Sequence, residues 1–338
     1  MDDTQVTPLS GGFKQAALAV KQTLGPAVVL AFAAIYFLWG ATFLAIRVAV
    51  LQIPPLFTAG LRFFIAGAVL YLFARLRGAA RPSGRHWNSM AVMAVLMFVV
   101  TYGALFWAEQ YVASGVTAVI EATLPLMTLL FEVFVLRQQP FRWQMLATVA
   151  LGFAGVVLLL WQSGGGALPI LPCLAVLGAA LTWSLGTVLT RSMPLPQSKA
   201  LTAGGAMLLG GAVLLVFSYF AGEMSPLPTI PRSAALALLY LIIGGSLLAF
   251  TAYVWLLGRM SATTVASHAY VNPIVAVALG YFLGGEQLTV RMLTASALIL
   301  ISVFLTLRAG VRQQQSMALP ARSPRASPLK PRPQRASS

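Results

Sequence analysis

The sequence predicts an all-α integral membrane protein of ten transmembrane helices arranged as two inverted five-helix repeats. Three observations predict it: ten apolar segments long enough to cross a bilayer, an uneven sharing of Lys and Arg between alternate loops, and an internal repeat at a constant offset.

Composition sets the class. The chain has 338 residues, 59% hydrophobic and only 9% charged, with mean hydropathy +0.86. A soluble domain carries about 25% charged residues, and no fold of this size hides so much apolar surface from water. The net charge of +15 is not a nucleic-acid footprint, because the basic residues sit between apolar runs and in the tail. No nucleic-acid partner is expected; the lipid bilayer is. The single cysteine, Cys173, excludes an intrachain disulfide. Residues 1–27 carry Asp2, Asp3, Lys14 and Lys21 with no cleavage-type pattern, so they read as a retained cytoplasmic arm.

The apolar segments run 28–50, 55–74, 88–107, 112–136, 142–161, 170–190, 200–221, 233–257, 262–284 and 289–307. Each is near the ~20 residues that cross hydrocarbon. The connections are short and rich in breakers. Gln52-Ile53-Pro54-Pro55 turns the first into the second, and Ser163-Gly164-Gly165-Gly166 separates the first repeat, 28–161, from the second, 170–307. Alternating the spans places eighteen Lys and Arg on the N-terminal side: Lys14, Lys21, Arg75, Arg77, Arg81, Arg85, Arg137, Arg142, Arg191, Lys199, Arg259, Arg308 and six in the tail. The other side receives Arg232 and Arg291. Cytoplasmic loops collect Lys and Arg, so both termini are expected in the cytoplasm, which requires an even number of spans. Residues 309–338, rich in Arg, Pro and Ser, are expected to be a disordered basic tail. Such a tail reinforces orientation or docks on anionic lipid at about 1 kcal/mol per basic residue.

The repeat is direct. Thr58-Ala59-Gly60-Leu61-Arg62-Phe63-Phe64-Ile65-Ala66-Gly67-Ala68-Val69-Leu70 lies on Thr202-Ala203-Gly204-Gly205-Ala206-Met207-Leu208-Leu209-Gly210-Gly211-Ala212-Val213-Leu214 at an offset of 144, with seven of thirteen positions identical. The same offset pairs Trp39 with Trp183 and Arg47 with Arg191; four residues more pair Trp107 with Trp255 and Pro125 with Pro273. Five spans per half turn the second half upside down, the architecture of alternating-access carriers, whose site lies near the midplane.

Inside the fourth segment Glu121 and Glu132 stand eleven residues apart. On one helix that spacing returns Glu132 to within ~20° of Glu121, roughly 16 Å along the axis. Ser114, Thr117 and Thr128 fall near the same line, a polar stripe that must face protein or water. Glu121 is the leading pathway residue, a site for a proton or a substrate ammonium; a structural glutamate tying helices together is the alternative. His268 and Asn272, one turn apart, extend the candidate pathway. Trp39, Trp183, Tyr102, Tyr253 and Tyr270 either pack or line a cavity for apolar solutes. Pro125 and Pro273 each free a carbonyl four residues back, that of Glu121 in the first case, and act as hinges or site walls. Arg47 and Arg62 flank the Pro54-Pro55 turn. Each is expected to snorkel outward, to bond helix-end carbonyls or to close a gate. No metal or catalytic residue is expected, because one His and no Asp lie in the spans.

Several stretches together resemble one family: Leu38-Trp39-Gly40-Ala41-Thr42-Phe43 with Ile46-Arg47, then Pro54-Pro55-Leu56 and Ala59-Gly60-Leu61-Arg62-Phe63. The run Ser267-His268-Ala269-Tyr270-Val271-Asn272-Pro273-Ile274-Val275-Ala276-Val277, closing on Gly284-Gly285-Glu286, is the most telling. The chain resembles the ten-span EamA-type permeases of the drug/metabolite transporter superfamily over roughly 28–307. It departs where the family closes its fourth span with Leu-Gly-Glu, having Leu136-Arg137-Gln138 instead. The resemblance implies a secondary transporter of the inner membrane, monomeric or homodimeric and without a cofactor. It exports a small molecule: an amino acid, a related metabolite or a toxic organic solute. Proton coupling and uncoupled exchange both stay open. No Gly-rich Lys-Ser/Thr nucleotide loop occurs. An integral-membrane enzyme lacks its clustered catalytic set, and a lipid scramblase or scaffold is the rival from another class.

Overall fold

The computed structural model describes residues 25–135, 137, 143–161, 169–190, 192–257, 259, 265 and 268–318. The N-terminal arm up to residue 24, the Gly-rich linker 162–168 and the tail from residue 319 lie outside them. Among the described residues every regular element is a helix. Seven are long and apolar enough to cross a membrane, and three shorter apolar ones accompany them.

In chain order the helices are α1 Pro26–Val50, α2 Pro55–Leu76, α3 Gly84–Ala108, α4 Ser114–Phe134, α5 Trp143–Leu160, α6 Ile170–Thr190 and α7 Lys199–Phe220. Helix α8 comprises Arg232–Tyr240, Leu241–Leu248 and Ala249–Leu257; α9 is His268–Phe282 and α10 is Val290–Ala318. Proline opens α1 and α2 within their first turns, where its missing N–H costs nothing. Ser198 caps α7, its hydroxyl accepting from Leu201 N at 3.2 Å. Three helices carry wide π turns: Ala34–Leu38 in α1, Ala94–Val100 in α3 and Leu241–Leu248 in α8. A π turn leaves carbonyls out of the regular ladder, and such turns gather at functional sites.

Helices α2 and α7 cross backbone to backbone. A Cβ on Gly67 would overlap Leu208 N, and one on Gly211 would overlap Phe64 N. One on Gly204 would lie 2.5 Å from Tyr71 N, and one on Gly60 2.9 Å from Leu215 N. Numbering falls along α7 as it rises along α2, so the pair is antiparallel. The contacts map onto each other under the 144-residue offset, Gly67–Leu208 onto Gly211–Phe64 and Gly60–Leu215 onto Gly204–Tyr71. Around this crossing α2 packs on α8, α7 on α3, α6 on α3 and α4, α1 on α8 and α9, α5 on α10, and α4 on α9. The core between them holds Phe63, Phe98, Phe106, Ile120, Leu126 and Leu214.

Two expectations are corrected. The fourth segment is not one helix: it breaks after Glu121 and resumes at Leu124, with Pro125 at the start of the second piece. Proline supplies no N–H and its ring crowds the carbonyl four residues back, so the chain turns instead. Glu121 and Glu132 therefore lie on separate pieces of α4, and regular helical spacing does not run from one to the other. The tail does not begin as irregular chain at 309, because α10 continues to Ala318. Its extra turns carry Ala, Arg, Gln and Met, good helix formers that outnumber Gly310, and they extend an existing helix, where each residue costs no new nucleation.

The crossing makes a direct prediction. Gly211→Val should force α2 and α7 apart, at a cost of about 1–3 kcal/mol, and lower the melting temperature of the detergent-purified protein. Gly178→Ala, whose Cβ meets nothing within 4 Å, should leave it unchanged or slightly raised. Equal effects from the two would contradict the close approach.

Candidate functional site

A helix N-terminus presents N–H groups with no partner in its own helix. In α4 these are taken from the other half of the chain: Ser114 N donates to Glu286 Oε1 at 2.7 Å and Gly115 N to Oε2 at 3.0 Å. In α2, Phe57 N donates to Glu223 Oε2 at 2.8 Å and Leu56 N to Oε1 at 3.4 Å; the Ser218 hydroxyl also donates to Oε2, at 2.9 Å. Negative charge at a helix N-terminus is further favoured by the helix dipole. Both glutamates close the same end of the bundle, the end of the Pro55 turn. Arg47 of α1 donates to the backbone carbonyl of Glu109 there, and Ser233 donates to the Gln52 amide oxygen at 2.5 Å.

Glu109 itself ends α3, just beyond the span. It is fully buried, and neither carboxyl oxygen has a hydrogen-bond partner. Burial and then the neighbouring Glu286 charge push its carboxyl well above the usual carboxylate range, against the opposing pull of Arg47.

Deeper in, Arg62 of α2 is 2% exposed. The expectation that it snorkels outward is corrected. Its position faces the inside of the bundle, where Nε donates to Ser246 Oγ of α8 at 3.0 Å. The guanidinium carbon lies 4.7 Å from the centre of the Phe63 ring, 5.2 Å from Tyr102 and 6.0 Å from Phe106. Cation–π attraction replaces part of the lost hydration, yet Nη1 remains without a hydrogen-bond partner. Tyr102 also meets Trp183 of α6, centre to centre 5.9 Å.

A second group forms on α1, α8 and α9. Trp39 Nε1 donates to Gly245 O at 2.9 Å. Its ring meets Tyr253 and His268, each at 5.2 Å. The Asn272 amide nitrogen belongs against the carbonyls of Ile35 and Tyr36, at 3.1 Å each, and that of His268, at 3.2 Å. Asn272 thus ties α9 to the α1 π turn. Tyr240 Oη donates to Leu38 O at 2.8 Å, beside the same turn. The neighbours Gly245 and Ser246, in the α8 π turn, join the Trp39 group to the Arg62 group.

Glu121 ends the first piece of α4. The residue is half-buried, but its Oε1 is buried without a partner, and its charge acts on both Tyr102 and Glu109. Pro125 opens the second piece. Around that break Thr123 Oγ1 donates to Ile120 O at 2.7 Å and Ser184 Oγ of α6 to Leu124 O at 3.0 Å. Pro273 lies inside α9. The Tyr270 side chain lies outside the described residues. The expected aromatic set therefore divides in two, Trp39 and Tyr253 with His268 against Tyr102 and Trp183 with Arg62. Among the described residues no cluster of three His, Cys, Asp or Glu groups has metal-site geometry.

Glu109 and Glu223 were not singled out from the sequence. Both are lone acidic residues directly behind an apolar run, in a chain with only seven Asp and Glu. That rarity was the available signal. The motif residue Glu286 was visible, its partners in α4 were not.

A family model described as the EamA-like transporter family matches residues 26–161 and 170–308. The chain is 37% identical over 281 residues to the inner membrane transporter YedA of Escherichia coli (strain K12), covering 81% of this chain and 89% of YedA. It is 26% identical over 284 residues to the transporter YoaV of Bacillus subtilis (strain 168), covering 82% and 96%. A crystal structure at 21% identity superposes with a TM-score of 0.58, over 85% of this chain and 98% of that one; it speaks for the fold alone.

Removing the α4 clasp tests its weight. Glu286→Ala leaves two amides without their acceptor, which costs about 1–3 kcal/mol for each buried group, and hydrogen exchange at Ser114 and Gly115 should accelerate. Glu286→Gln keeps one acceptor oxygen and should lose less. Unchanged exchange in Glu286→Ala would show that the contact carries no stability.

Proposed function

The chain belongs to the EamA-like transporter family, and from that premise we propose how this multi-pass membrane transporter works. It exports a small metabolite, an amino acid or related compound or a toxic organic solute, across the inner membrane. It does so by alternating access between two inverted five-helix halves, residues 28–161 and 170–307, with both termini cytoplasmic. The substrate passes between the Trp39–His268 group and the Arg62–Tyr102–Glu121 group.

One observation carries the reading. Side-chain atoms without hydrogen-bond partners, Arg62 Nη1 and Glu121 Oε1, are held inside an apolar bundle where helices of both halves meet. Ionisable groups left incompletely satisfied in such surroundings are expensive and mark solute or proton pathways. Supporting features surround it. The broken α4, the proline within α9 and the π turns of α3 and α8 place irregular backbone where it can line a cavity. The antiparallel, offset-symmetric α2–α7 crossing is what inverted halves require. With the Pro55 end on the external side, the clasps of Glu223 and Glu286 close the outer gate.

Proteoliposomes test the assignment. A thermal-shift screen of amino acids, nucleosides, polyamines and lipophilic cations identifies binders, since a ligand at 100 times its Kd adds about 2.7 kcal/mol of native-state stability. Transport of a hit is then measured across imposed pH gradients. Glu121→Gln should abolish the pH dependence while leaving counterflow of the same solute intact. Full retention of pH-dependent transport would remove Glu121 from the coupling role. No pH dependence in the wild type would leave an uncoupled facilitator or exchanger.

A further inference from the structure

Glu109 is not accounted for by the pathway above. It stands at the end of α3, outside the span, with both carboxyl oxygens buried and neither bonded. The charged and titratable groups acting on it are Arg47 from α1, Arg62 from α2, Glu121 from α4 and Glu286 from the segment after α9. The cation nearest at hand, Arg47, spends a donor on the backbone carbonyl of Glu109, not on its carboxylate. Glu286 is meanwhile held by two α4 amides. Burial disfavours a charge on Glu109, and the Glu286 charge beside it disfavours it further. With no hydrogen-bond donor on either oxygen to offset this, the Glu109 carboxyl takes the proton.

We propose that Glu109 is a proton-binding site of the gate at the Pro55 end, occupied by a proton when that end is closed and emptied when it opens. The inference rests on the alternating-access reading. In the closed form the neutral carboxyl fits a site that offers it no donor. When the Glu286 clasp leaves Ser114 and Gly115, water reaches Glu109, the proton departs to the compartment on that side, and Arg47 is free to pair with the carboxylate. Reclosure then requires a proton from that same compartment. This makes closure a titration separate from any event at Glu121. The sign follows from the geometry: burial raises the affinity of Glu109 for its proton, so closure is favoured at low pH. It is lost as pH rises from the ordinary carboxylate range through the raised one.

The test reads the gate with no substrate present. In the full chain with Cys173→Ser, spin labels are placed at Tyr111→Cys and Gln287→Cys, positions exposed on either side of the clasp. Distances are measured in nanodiscs from about pH 5 to about pH 9, a window that covers a carboxyl raised by burial. The short-distance population should rise several-fold as pH falls. Glu109→Gln, a neutral mimic of the protonated form, should hold the short distance at every pH, and Glu121→Gln should keep a pH-dependent profile, displaced toward lower pH because its charge no longer acts on Glu109. A flat wild-type profile, a wild-type profile in Glu109→Gln, or a profile flattened by Glu121→Gln would each overturn the proposal. If Glu109→Gln fails to accumulate, Glu109→Asp decides: a retained but displaced profile supports the site, and an undisplaced one refutes it. Transport of the screened solutes, scored separately, succeeds or fails independently of this gate titration.

Discussion

Two helices from opposite halves of the chain touch backbone to backbone, and the remainder of the bundle is arranged around that contact. In lipid no hydrophobic force drives helices together; close packing of small residues does that work instead. Gly60, Gly67, Gly204 and Gly211 bring α2 and α7 to a distance that no other side chain permits. Because α2 carries Arg62 and α7 leads into Glu223, the same contact sets the depth of the buried cation and delivers an acidic cap to the start of α2.

The second constraint is that every backbone group at membrane depth needs a partner. This chain departs from regular helix at several places, and side chains from far away in sequence bond the backbone at or near them and at helix starts. Asn272 serves the π turn of α1, Ser184 serves the break in α4, and Glu286 serves the first amides of α4. Each of these bonds ties one half to the other. Moving the halves apart at one end therefore means exchanging protein partners for water or ligand, which is the energetic form a gate takes. Among the described residues, the buried side-chain polar groups left over, on Arg62, Glu109, Ser114 and Glu121, are those the static bundle does not satisfy.

Much of this was legible in the primary structure and some was not. Apolar length and punctuation located the seven helices long enough to cross a membrane, since both are local properties. The small-residue stretch repeated at an offset of 144 named the residues of the central crossing, though not that they would face each other. Pro125 and Pro273 were recognisable as irregular points, but the consequence at Pro125, an interruption of the regular turns between Glu121 and Leu124, was underestimated because helical spacing was extended through it. The outward reading of Arg62 failed because distance along the chain from the Pro54-Pro55 turn says nothing about which way a helix faces. Here that face looks inward at Tyr102 and Ser246.

The amino-acid sequence by itself determined the class of the protein, the position of its apolar segments and the family to which it belongs. Those follow from composition, period and motif, all readable in one dimension. Only the tertiary structure decided which polar groups meet. Glu286 lies 172 residues from the amide it caps and Arg62 lies 184 from the serine it bonds, and nothing in a linear pattern specifies a partner at that separation. The meeting of such groups depends on how the helices are rotated about their own axes, and packing alone fixes that rotation.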